Sequence, residues 1–162
     1  LTLRKMNIQN LAEAGGERYD FIMFHHSFEH MDPPLEVLQA ATSLLADGGS
    51  LLIRIPVADS EAFAQYRQDW FQLDAPRHLY LHSRDSLSQL AKAVGLRITY
   101  DACDATPSQF MIRELYRRDI SLNAPATEKD VFSADEIRTF AEHSRAANRA
   151  GKGDQAVFLL GR

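Results

Sequence analysis

The residues best suited to chemistry form one short cluster, HHSFEH, which runs from His25 to His30. The cluster holds three of the six histidines in the sequence, together with Glu29. Histidine and glutamate side chains can take a proton from a substrate or return one. The cluster directly follows an apolar run that ends at Phe24, and ligands of parallel α/β sheets bind beyond the carboxyl ends of strands. We therefore expect the functional site at this point of the chain.

The pentapeptide from His26 to His30 also matches H-x-x-E-H, a zinc motif of one class of metalloprotease. That motif requires a helix, because residues four apart then share one face and reach the same metal. Pro33 and Pro34 allow a helix to begin only after the cluster, since a proline inside a helix costs about 3 kcal/mol or more. We therefore assign no metal site, and an adventitious ion on His25, His26 or His30 would not be a function.

Two members of the cluster have a simpler alternative explanation. Glu29 and His30 could satisfy backbone donors at the start of the following helix, which is a common role of polar residues there. Further along the chain, His78 could act as a general base or could bond to a loop carbonyl. The sequence leaves these alternatives open.

The elements around the cluster follow the order strand, helix, strand, which builds parallel sheets. A buried strand is predicted over Tyr19–Phe24, and Asp32 and Pro33 suit the cap and first turn of the next helix. Apolar residues repeat through this helix at helical spacing, two glycines are expected to end it, and a second buried strand follows. The residues concerned are Leu38, Ala41 and Leu45 in the helix, Gly48 and Gly49 at its end, and Leu51, Leu52, Ile53 and Ile55 in the strand.

The segment from Ala58 to Ser83 is polar and aromatic, and it is too long for a tight connection. It is either a surface loop that covers the sheet edge or a loop that closes over the active site. The remaining elements follow from caps, periodicity and alternation. They are a helix from Ser83 to Gly95, a strand over Leu96–Tyr100, a helix through Phe110, Glu114 and Arg117 behind a capping box at Thr106, a loop over Ile120–Val131, a helix from Ser133 to near Gly151, and a closing strand in GDQAVFLLGR.

The composition bounds the class of protein. The chain has 162 residues, which suits one domain, and its 45% hydrophobic content is ordinary for a globular protein. A formal net charge of −4 without a basic stripe argues against nucleic-acid binding. The single cysteine, Cys103, excludes an internal disulfide and a cysteine-rich zinc site. No apolar run approaches the ~20 residues of a membrane span, and a cytoplasmic location is the default expectation.

Three sequence segments follow one another from Tyr19 onward: YDFI…HHSFEHMDPP…LLADGGSLLIRIP, then WFQLDAPRHLYLHSRDSLSQLAKAVGL, then GDQAVFLLGR. In this order they resemble the carboxyl-terminal portion of the class I S-adenosylmethionine-dependent methyltransferases. The resemblance implies an α/β fold with a partial Rossmann-like sheet, mostly parallel with an antiparallel last strand, and helices on both faces. It also implies S-adenosylmethionine as the cofactor and methyl transfer to a small-molecule acceptor.

The resemblance suggests roles for particular residues. The strand end at Phe24, His25 and His26 would line the cofactor, and His30 and His78 are the candidate catalytic residues. The acceptor would be contacted by the aromatic loop and by the helix that carries Phe110. The candidate substrate-binding residues are Trp70, Arg77 and Phe110.

The glycine-rich cofactor turn of that family is missing from the sequence, because neither Gly15-Gly16 nor Gly48-Gly49 opens a helix after an apolar strand. We therefore expect the carboxyl-terminal portion of a longer methyltransferase, with weak cofactor binding and little turnover as this chain alone. The alternative is a non-catalytic binding or assembly domain that retains the sheet.

The first residues, Leu1–Asn10, alternate loosely and are expected to form a strand. In the complete family fold, the first and second strands lie between this strand and the one at Tyr19. Without those two strands, the strand at Tyr19 would have an exposed apolar edge, which is a template for pairing. We expect one of two outcomes: Leu1–Ile8 pairs differently from the parent fold, or two chains form a homodimer through this edge.

Overall fold

One mixed sheet of four strands organises the computed structural model, which describes residues 2–121 and 128–162. The strands are β1 (Tyr19–His25), β2 (Leu45–Pro56), β3 (Arg97–Cys103) and β4 (Gln155–Gly161), in the spatial order β1-β2-β4-β3. β1 pairs with β2 in parallel, and β4 is antiparallel to both β2 and β3. Three strands thus run in one direction and the last runs against them, which confirms the predicted α/β fold class.

Helices flank this sheet, and two of them start at caps that the sequence predicts. The hydroxyls of Ser83 and Ser133 each accept a backbone N–H three residues on, in capping boxes completed by Ser86 and Glu136. None of the described helices is long and apolar enough to cross a membrane. They are α1 (Ile8–Ala14), α2 (Pro34–Leu44), α3 (Glu61–Tyr66), α4 (Arg84–Ala93), α5 (Ser108–Arg117), α6 (Glu128–Val131) and α7 (Ala134–Arg149), with 3-10 turns at Phe28–His30, Arg67–Asp69 and Phe71–Leu73.

The larger of two hydrophobic cores, the first core, is formed by one face of the sheet with α2 and α4. Ile53 of β2 and Phe158 of β4 are paired neighbours on this face, and both are fully buried. Leu38 of α2 and Leu87 of α4 are equally buried and belong to the same cluster. Alternate strand residues point to one face, and helix residues three and four apart share one stripe, so periodicity alone brings these side chains together.

The opposite face of the sheet and the outer edge of β1 are more open. Phe21 and Met23 of β1 and Tyr100 of β3 are 52%, 54% and 58% exposed. β1 lies at the end of the sheet, so within the described residues its outer edge pairs with no strand. The exposed apolar edge predicted from the sequence is therefore present.

The second core lies beyond the carboxyl ends of β2 and β3. It contains Ala62 of α3, Trp70, Phe110 of α5 and Ala147 of α7. The polar and aromatic segment after β2 is therefore not an extended loop, because it folds into α3 and two 3-10 turns that contribute to this core. The N–H of Val57, just after β2, donates to the carbonyl of Asp154, just before β4, at 2.9 Å. This bond joins the core to the sheet, because the side chain of Asp154 accepts from Trp70.

The strand predicted over Leu1–Asn10 is wrong for the described part of that range. Residues 2–7 form no strand, and α1 begins at Ile8, where the side chain of Asn7 accepts the N–H of Asn10 at 2.8 Å. A local cap therefore decides the structure here, since the loose alternation has no neighbouring strand to pair with. The expected alternative pairing of Leu1–Ile8 is also not found in residues 2–8, and Leu1 lies outside the described part.

Two predicted helix caps are also wrong. α2 begins behind Pro33, without a side-chain cap, and Asp32 instead accepts a hydrogen bond from the hydroxyl of Tyr80. α5 begins behind Pro107 rather than at a capping box of Thr106, and it too has no side-chain cap. In both places a proline with its fixed φ starts the helix.

The prediction that Gly48 and Gly49 end α2 is wrong. The helix stops at Leu44, and both glycines lie within β2. Gly48 has a φ of +76°, and a Cβ on Gly49 would lie only 3.0 Å from the carbonyl oxygen of Tyr19. The β1–β2 register shifts at this point. The glycines therefore permit a close, irregular strand pairing.

The loop predicted over Ile120–Val131 can be compared with the structure only in part. Residues 122–127 lie outside the described residues, and α6 occupies the end of the range.

Candidate functional site

At the carboxyl ends of β1 and β2, two histidines are hydrogen bonded to one arginine. β1 ends at His25, and His26 follows with a φ of +48°, which turns the chain away from the sheet. Arg54 is the β2 partner of His25 in the strand register. Its Nη1 donates to Nε2 of His25 at 3.1 Å and to Nε2 of His26 at 2.7 Å. Because a guanidinium only donates, both Nε2 atoms act as acceptors.

Arg54 also extends the cluster to the other two strands. Its Nε donates to Oδ2 of Asp104, at the carboxyl end of β3, at 2.6 Å. The side chain of Gln155, the first residue of β4, donates to Oδ1 of Asp104 at 2.9 Å. We call His25, His26, Arg54, Asp104 and Gln155 the Arg54 network.

Sequence reasoning missed Arg54 and Asp104. A signal for the first was available, because LLIRIP places one charge inside an apolar strand. Nothing local marks Asp104, whose role depends on β3 ending at the same edge of the sheet as β1 and β2.

The electrostatics of the network keep His26 neutral. Burial lowers the pKa of His26, the charge of Arg54 lowers it further, and the carboxylate of Glu29 acts in the opposite direction. The neutral ring accepts from Arg54 through Nε2 and therefore carries its hydrogen on Nδ1. The nitrogen that could accept a substrate proton is thus already in use.

Main-chain hydrogen bonds bring together the two residues predicted to be catalytic, His30 and His78. The carbonyl of Glu29 accepts the N–H groups of Leu79 at 2.9 Å and Tyr80 at 3.2 Å. These bonds hold the segment that carries His78 against the 3-10 turn that carries His30. The two imidazole rings then lie 4.8 Å apart between centroids.

Backbone carbonyls orient both of these imidazole rings. Nδ1 of His30 bonds to the carbonyl of Arg77, and Nδ1 of His78 bonds to the carbonyl of Gln72, each at 2.7 Å. A carbonyl can only accept, so each Nδ1 carries a hydrogen, and in a neutral ring the lone pair is on Nε2. The side chain of His30 is 40% exposed and that of His78 is 7% exposed. His30 is the more accessible of the two.

The structure does not bring the predicted substrate-binding residues together. Trp70 and Phe110 are only 2% and 1% exposed, within the second core. The indole N–H of Trp70 donates to Oδ2 of Asp154 at 3.0 Å. Arg77 differs, because its side chain is 72% exposed and paired with Asp74 at 2.7 Å. A role in acceptor binding stays a prediction for all three, and only Arg77 presents its side chain to solvent.

The helical zinc motif considered for the pentapeptide from His26 to His30 does not form. A φ of +48° at His26 and a 3-10 turn over Phe28–His30 replace the α-helix that the motif requires. His26 and His30 therefore do not share a helix face.

A groove of about 500 Å³ runs along the open edge of β1. Its wall is largely apolar and includes Ile8 of α1 and Met23 and Phe24 of β1, with Asp32 among the polar lining residues. Of the three residues predicted to bind the cofactor, only Phe24 lines this groove. The other two belong to the Arg54 network.

Comparison with solved structures identifies the fold. A SAM-dependent methyltransferase from Archaeoglobus fulgidus is similar over 97% of this chain and 65% of its own, with 19% identity and a TM-score of 0.55. Geranyl diphosphate C-methyltransferase from Streptomyces coelicolor A3(2), solved with Mg²⁺, geranyl diphosphate and S-adenosyl-L-homocysteine, is similar over 98% and 52%, with 14% identity and a TM-score of 0.55. The plantazolicin methyltransferase BamL, solved with a triazolic desmethylPZN analog and SAH, is similar over 96% and 57%, with 14% identity and a TM-score of 0.50.

The chain thus spans between 52% and 65% of the length of these three structures. Among curated proteins no match was found. The three structural matches confirm the prediction of S-adenosylmethionine as the family's cofactor. A family model described as a methyltransferase domain matches residues 3–100, more than half of the sequence. This chain therefore belongs to the methyltransferase-domain family, as the motifs from Tyr19 onward predicted.

Proposed function

We propose that this chain is the acceptor-side portion of an S-adenosylmethionine-dependent methyltransferase that acts on a small molecule. One observation carries the proposal: the carboxyl ends of β1, β2 and β3 meet in the Arg54 network, at the edge where ligands of such sheets bind. The 3-10 turn that follows β1 then places His30 beside His78 next to this edge.

The reaction proposed is an in-line displacement in which the cofactor supplies the activated methyl group. The chain's own task is to position the acceptor, an effect that can lower a barrier by about 7–11 kcal/mol. For a hydroxyl or amine acceptor, His30 or His78 would take the proton through Nε2, because Nδ1 of each donates to a carbonyl. His26 is less suited, since its Nε2 accepts from Arg54.

The described residues fit one side of the cofactor. The β1 groove offers an apolar wall that includes Phe24, and the carboxylate of Asp32 lies among its polar groups. His25 and His26 add polar atoms at the end of the same strand. The sequence has no glycine-rich turn to enclose the opposite side. We therefore propose that Phe24, His25 and His26 contact the cofactor, and that this chain alone binds it weakly and turns over little substrate.

The acceptor is proposed to bind on the side of the 72–80 segment. Arg77 is exposed there, and its carbonyl holds the ring of His30. Trp70 and Phe110 would contribute to acceptor binding indirectly, because they belong to the second core, which supports that segment.

Titration of the ¹⁵N-labelled chain with S-adenosylhomocysteine tests the proposal. We expect millimolar-range binding that shifts the amide signals of Phe24, His25 and His26, and leaves those of the exposed end of α7 unchanged. Separate titrations with methionine and adenosine would show which half of the cofactor this edge contacts. Shifts elsewhere only, or none at millimolar ligand, would overturn the cofactor contacts. Sub-micromolar affinity would overturn the one-sided fit.

A non-catalytic assembly domain is the second candidate, and the open edge of β1 favours it. An unpaired strand edge with exposed Phe21 and Met23 can pair with a second copy of the chain. We expect a concentration-dependent dimer in analytical ultracentrifugation, which Met23→Lys converts to monomer. A wild-type chain that stays monomeric at high concentration would remove the support for assembly.

The cytoplasmic location stays a prediction under either function.

A further inference from the structure

Glu29 carries a buried carboxylate without a hydrogen-bond partner. The side chain is 2% exposed, and within the described residues neither carboxylate oxygen is hydrogen bonded. Buried charges in proteins are normally paired, hydrogen bonded or bound to a metal. The described residues therefore provide no hydrogen-bond donor to the carboxylate of Glu29.

The groups that face this carboxylate are imidazoles at distances too long for hydrogen bonds. Oε1 of Glu29 lies 3.9 Å from Nε2 of His30 and 3.6 Å from Nδ1 of His26. One ligand atom from each of Glu29, His30 and His78 lies within 4.8 Å of the other two. A small ion between these three atoms would contact them all after modest inward shifts.

The two imidazoles are already in the form that a metal needs. His30 and His78 each donate Nδ1–H to a backbone carbonyl, which leaves the Nε2 lone pair free. Histidines that bind metals in proteins almost always use one nitrogen as ligand and the other as donor to a carbonyl, carboxylate or water. The same bonds also fix the plane of each ring.

We propose that Glu29, His30 and His78 bind one divalent transition-metal ion, for which Zn²⁺ is the probe. Two imidazole nitrogens and one carboxylate oxygen suit Zn²⁺ or Fe²⁺ better than Mg²⁺ or Ca²⁺, which prefer oxygen ligands alone. Three protein ligands leave a coordination position open. Oδ2 of Asp74 lies 3.7 Å from Nε2 of His78, so a second carboxylate stands beside the proposed ion.

This ligand set differs from the pentapeptide motif that the sequence contains. In the structure His26 is bound to Arg54, and its place is taken by His78 from a distant segment. The bonds from Leu79 and Tyr80 to the carbonyl of Glu29 hold that segment in place. No spacing rule in the sequence predicts such a set.

The ion would also affect the proposed chemistry. An acceptor hydroxyl in the open position would have a lower pKa on binding the ion and could release its proton to solvent before methyl transfer. Nε2 of His30 and Nε2 of His78 would then be ligands of the ion and would no longer act as bases. This consequence rests on the proposed function, whereas the ion site itself does not, because it can be tested without cofactor or acceptor.

The binding test uses the whole chain after treatment with EDTA, and competition for Zn²⁺ with a chromophoric chelator. We expect one equivalent bound with sub-micromolar affinity, and Co²⁺ absorption typical of four-coordinate geometry. Glu29→Gln, His30→Ala and His78→Ala should each weaken binding by more than about 100-fold, since losing a group that merely orients a ligand costs about 10–100-fold. His143→Gln is the control, because His143 forms an exposed pair with Glu61 at 2.6 Å.

A variant that does not fold would also fail to bind Zn²⁺, and thermal unfolding distinguishes this case from the loss of a metal ligand. In EDTA, Glu29→Gln should melt no lower than wild type, because neither carboxylate oxygen of Glu29 makes a hydrogen bond that the variant would lose. Zn²⁺ should raise the melting temperature of wild type and of His143→Gln, and not that of Glu29→Gln. Equal Zn²⁺ affinity in the three ligand variants and wild type, loss of binding in His143→Gln alone, or no binding would each overturn the proposal.

Discussion

The first core and the second core belong to one chain, but they are built from different kinds of side chain. The residues of the first core are apolar, from Leu38 of α2 to Phe158 of β4, and one buried imidazole, that of His82, stacks on its Phe28. The second core includes buried polar groups among its apolar residues: Asp154 accepts from Trp70, and Gln109 donates to Ser144 at 2.9 Å. The first core therefore owes its stability to apolar burial, and the second depends in part on protonation and hydrogen bonding.

The positions of the two cores explain this difference. The first core lies on one face of the sheet, where strand backbones are already paired and apolar side chains suffice. The second core covers the carboxyl ends of β2 and β3, where chain segments leave the sheet and their backbone groups need partners. Ser144, for example, donates to the carbonyl of Ala105 at 3.0 Å, just beyond β3. The Arg54 network is thus bordered by the core that contains Asp154, whose pKa is raised by burial.

The largest effect is expected from the first core. Phe158→Ala should lower the free energy of unfolding by about 3–5 kcal/mol, because it leaves a cavity in a closed apolar core. Urea unfolding followed by circular dichroism measures this loss, and it should be the same at pH 5 and pH 8. Tyr100→Ala, on the open face of the same sheet where Tyr100 is 58% exposed, should cost less than about 1 kcal/mol. Equal costs would mean that the open face is covered in solution.

The second core should make stability depend on pH. Burial raises the pKa of Asp154 from 3.8 to about 6, and the bond from Trp70 only partly offsets this. The folded chain therefore holds this proton more tightly than the unfolded chain, so the contribution is fully present below about pH 4 and is lost as pH rises through about 6. A shift of about two units corresponds to a loss of about 3 kcal/mol.

Asp154→Asn isolates this contribution from the other titrating groups. The variant keeps an oxygen for the indole N–H but cannot ionise. The difference in unfolding free energy between wild type and variant should therefore fall across pH 4–6. Asp47→Asn, at a fully exposed carboxylate, is the matched control and should leave the pH profile unchanged. A flat difference for Asp154→Asn would show that Asp154 is solvated in the folded chain.

The bond between Trp70 and Asp154 should have a smaller effect. Trp70→Phe removes the indole donor, which should cost about 1.5–3 kcal/mol at pH 8, where the acceptor is charged, and less at pH 4. Circular dichroism is the suitable probe, because Trp70 is the only tryptophan in the sequence. In an Asp154→Asn background the pH dependence of the Trp70→Phe cost should disappear. If it persists, another group controls it.

The contrast between the cores also explains what the sequence could predict. Helical spacing of Leu38 and Ala41 and the apolar run ending at Ile55 place residues in the first core by local periodicity. Trp70 and Phe110 carry no such pattern, because their partners are far along the chain, as with Trp70 and Asp154, which are 84 residues apart. Their burial is therefore seen only in the structure, and their role in acceptor binding stays a prediction.

The same reasoning applies to the candidate site. The position of HHSFEH at a strand end follows from its neighbours in sequence and was predicted. The contacts of Arg54 with Asp104 and of His30 with His78 depend on strand order and on the fold of the 72–80 segment, which no local pattern reveals. The burial of Glu29 is equally hidden, since glutamate is a surface residue in most proteins.

Ser144 gives the smallest expected difference between the cores. Ser144→Ala deprives the buried amide of Gln109 of its acceptor and should cost about 1–2 kcal/mol, the penalty for leaving a buried polar group unpaired. The carbonyl of Ala105 keeps a donor, because Asn148 also bonds to it at 2.8 Å. Ser43→Ala in α2 removes only a bond to the carbonyl of Ala40 within its own helix, so it should change stability by less than about 0.5 kcal/mol. Urea unfolding of the two variants therefore separates a buried hydroxyl beside the second core from an exposed one on α2 by the same chemical change.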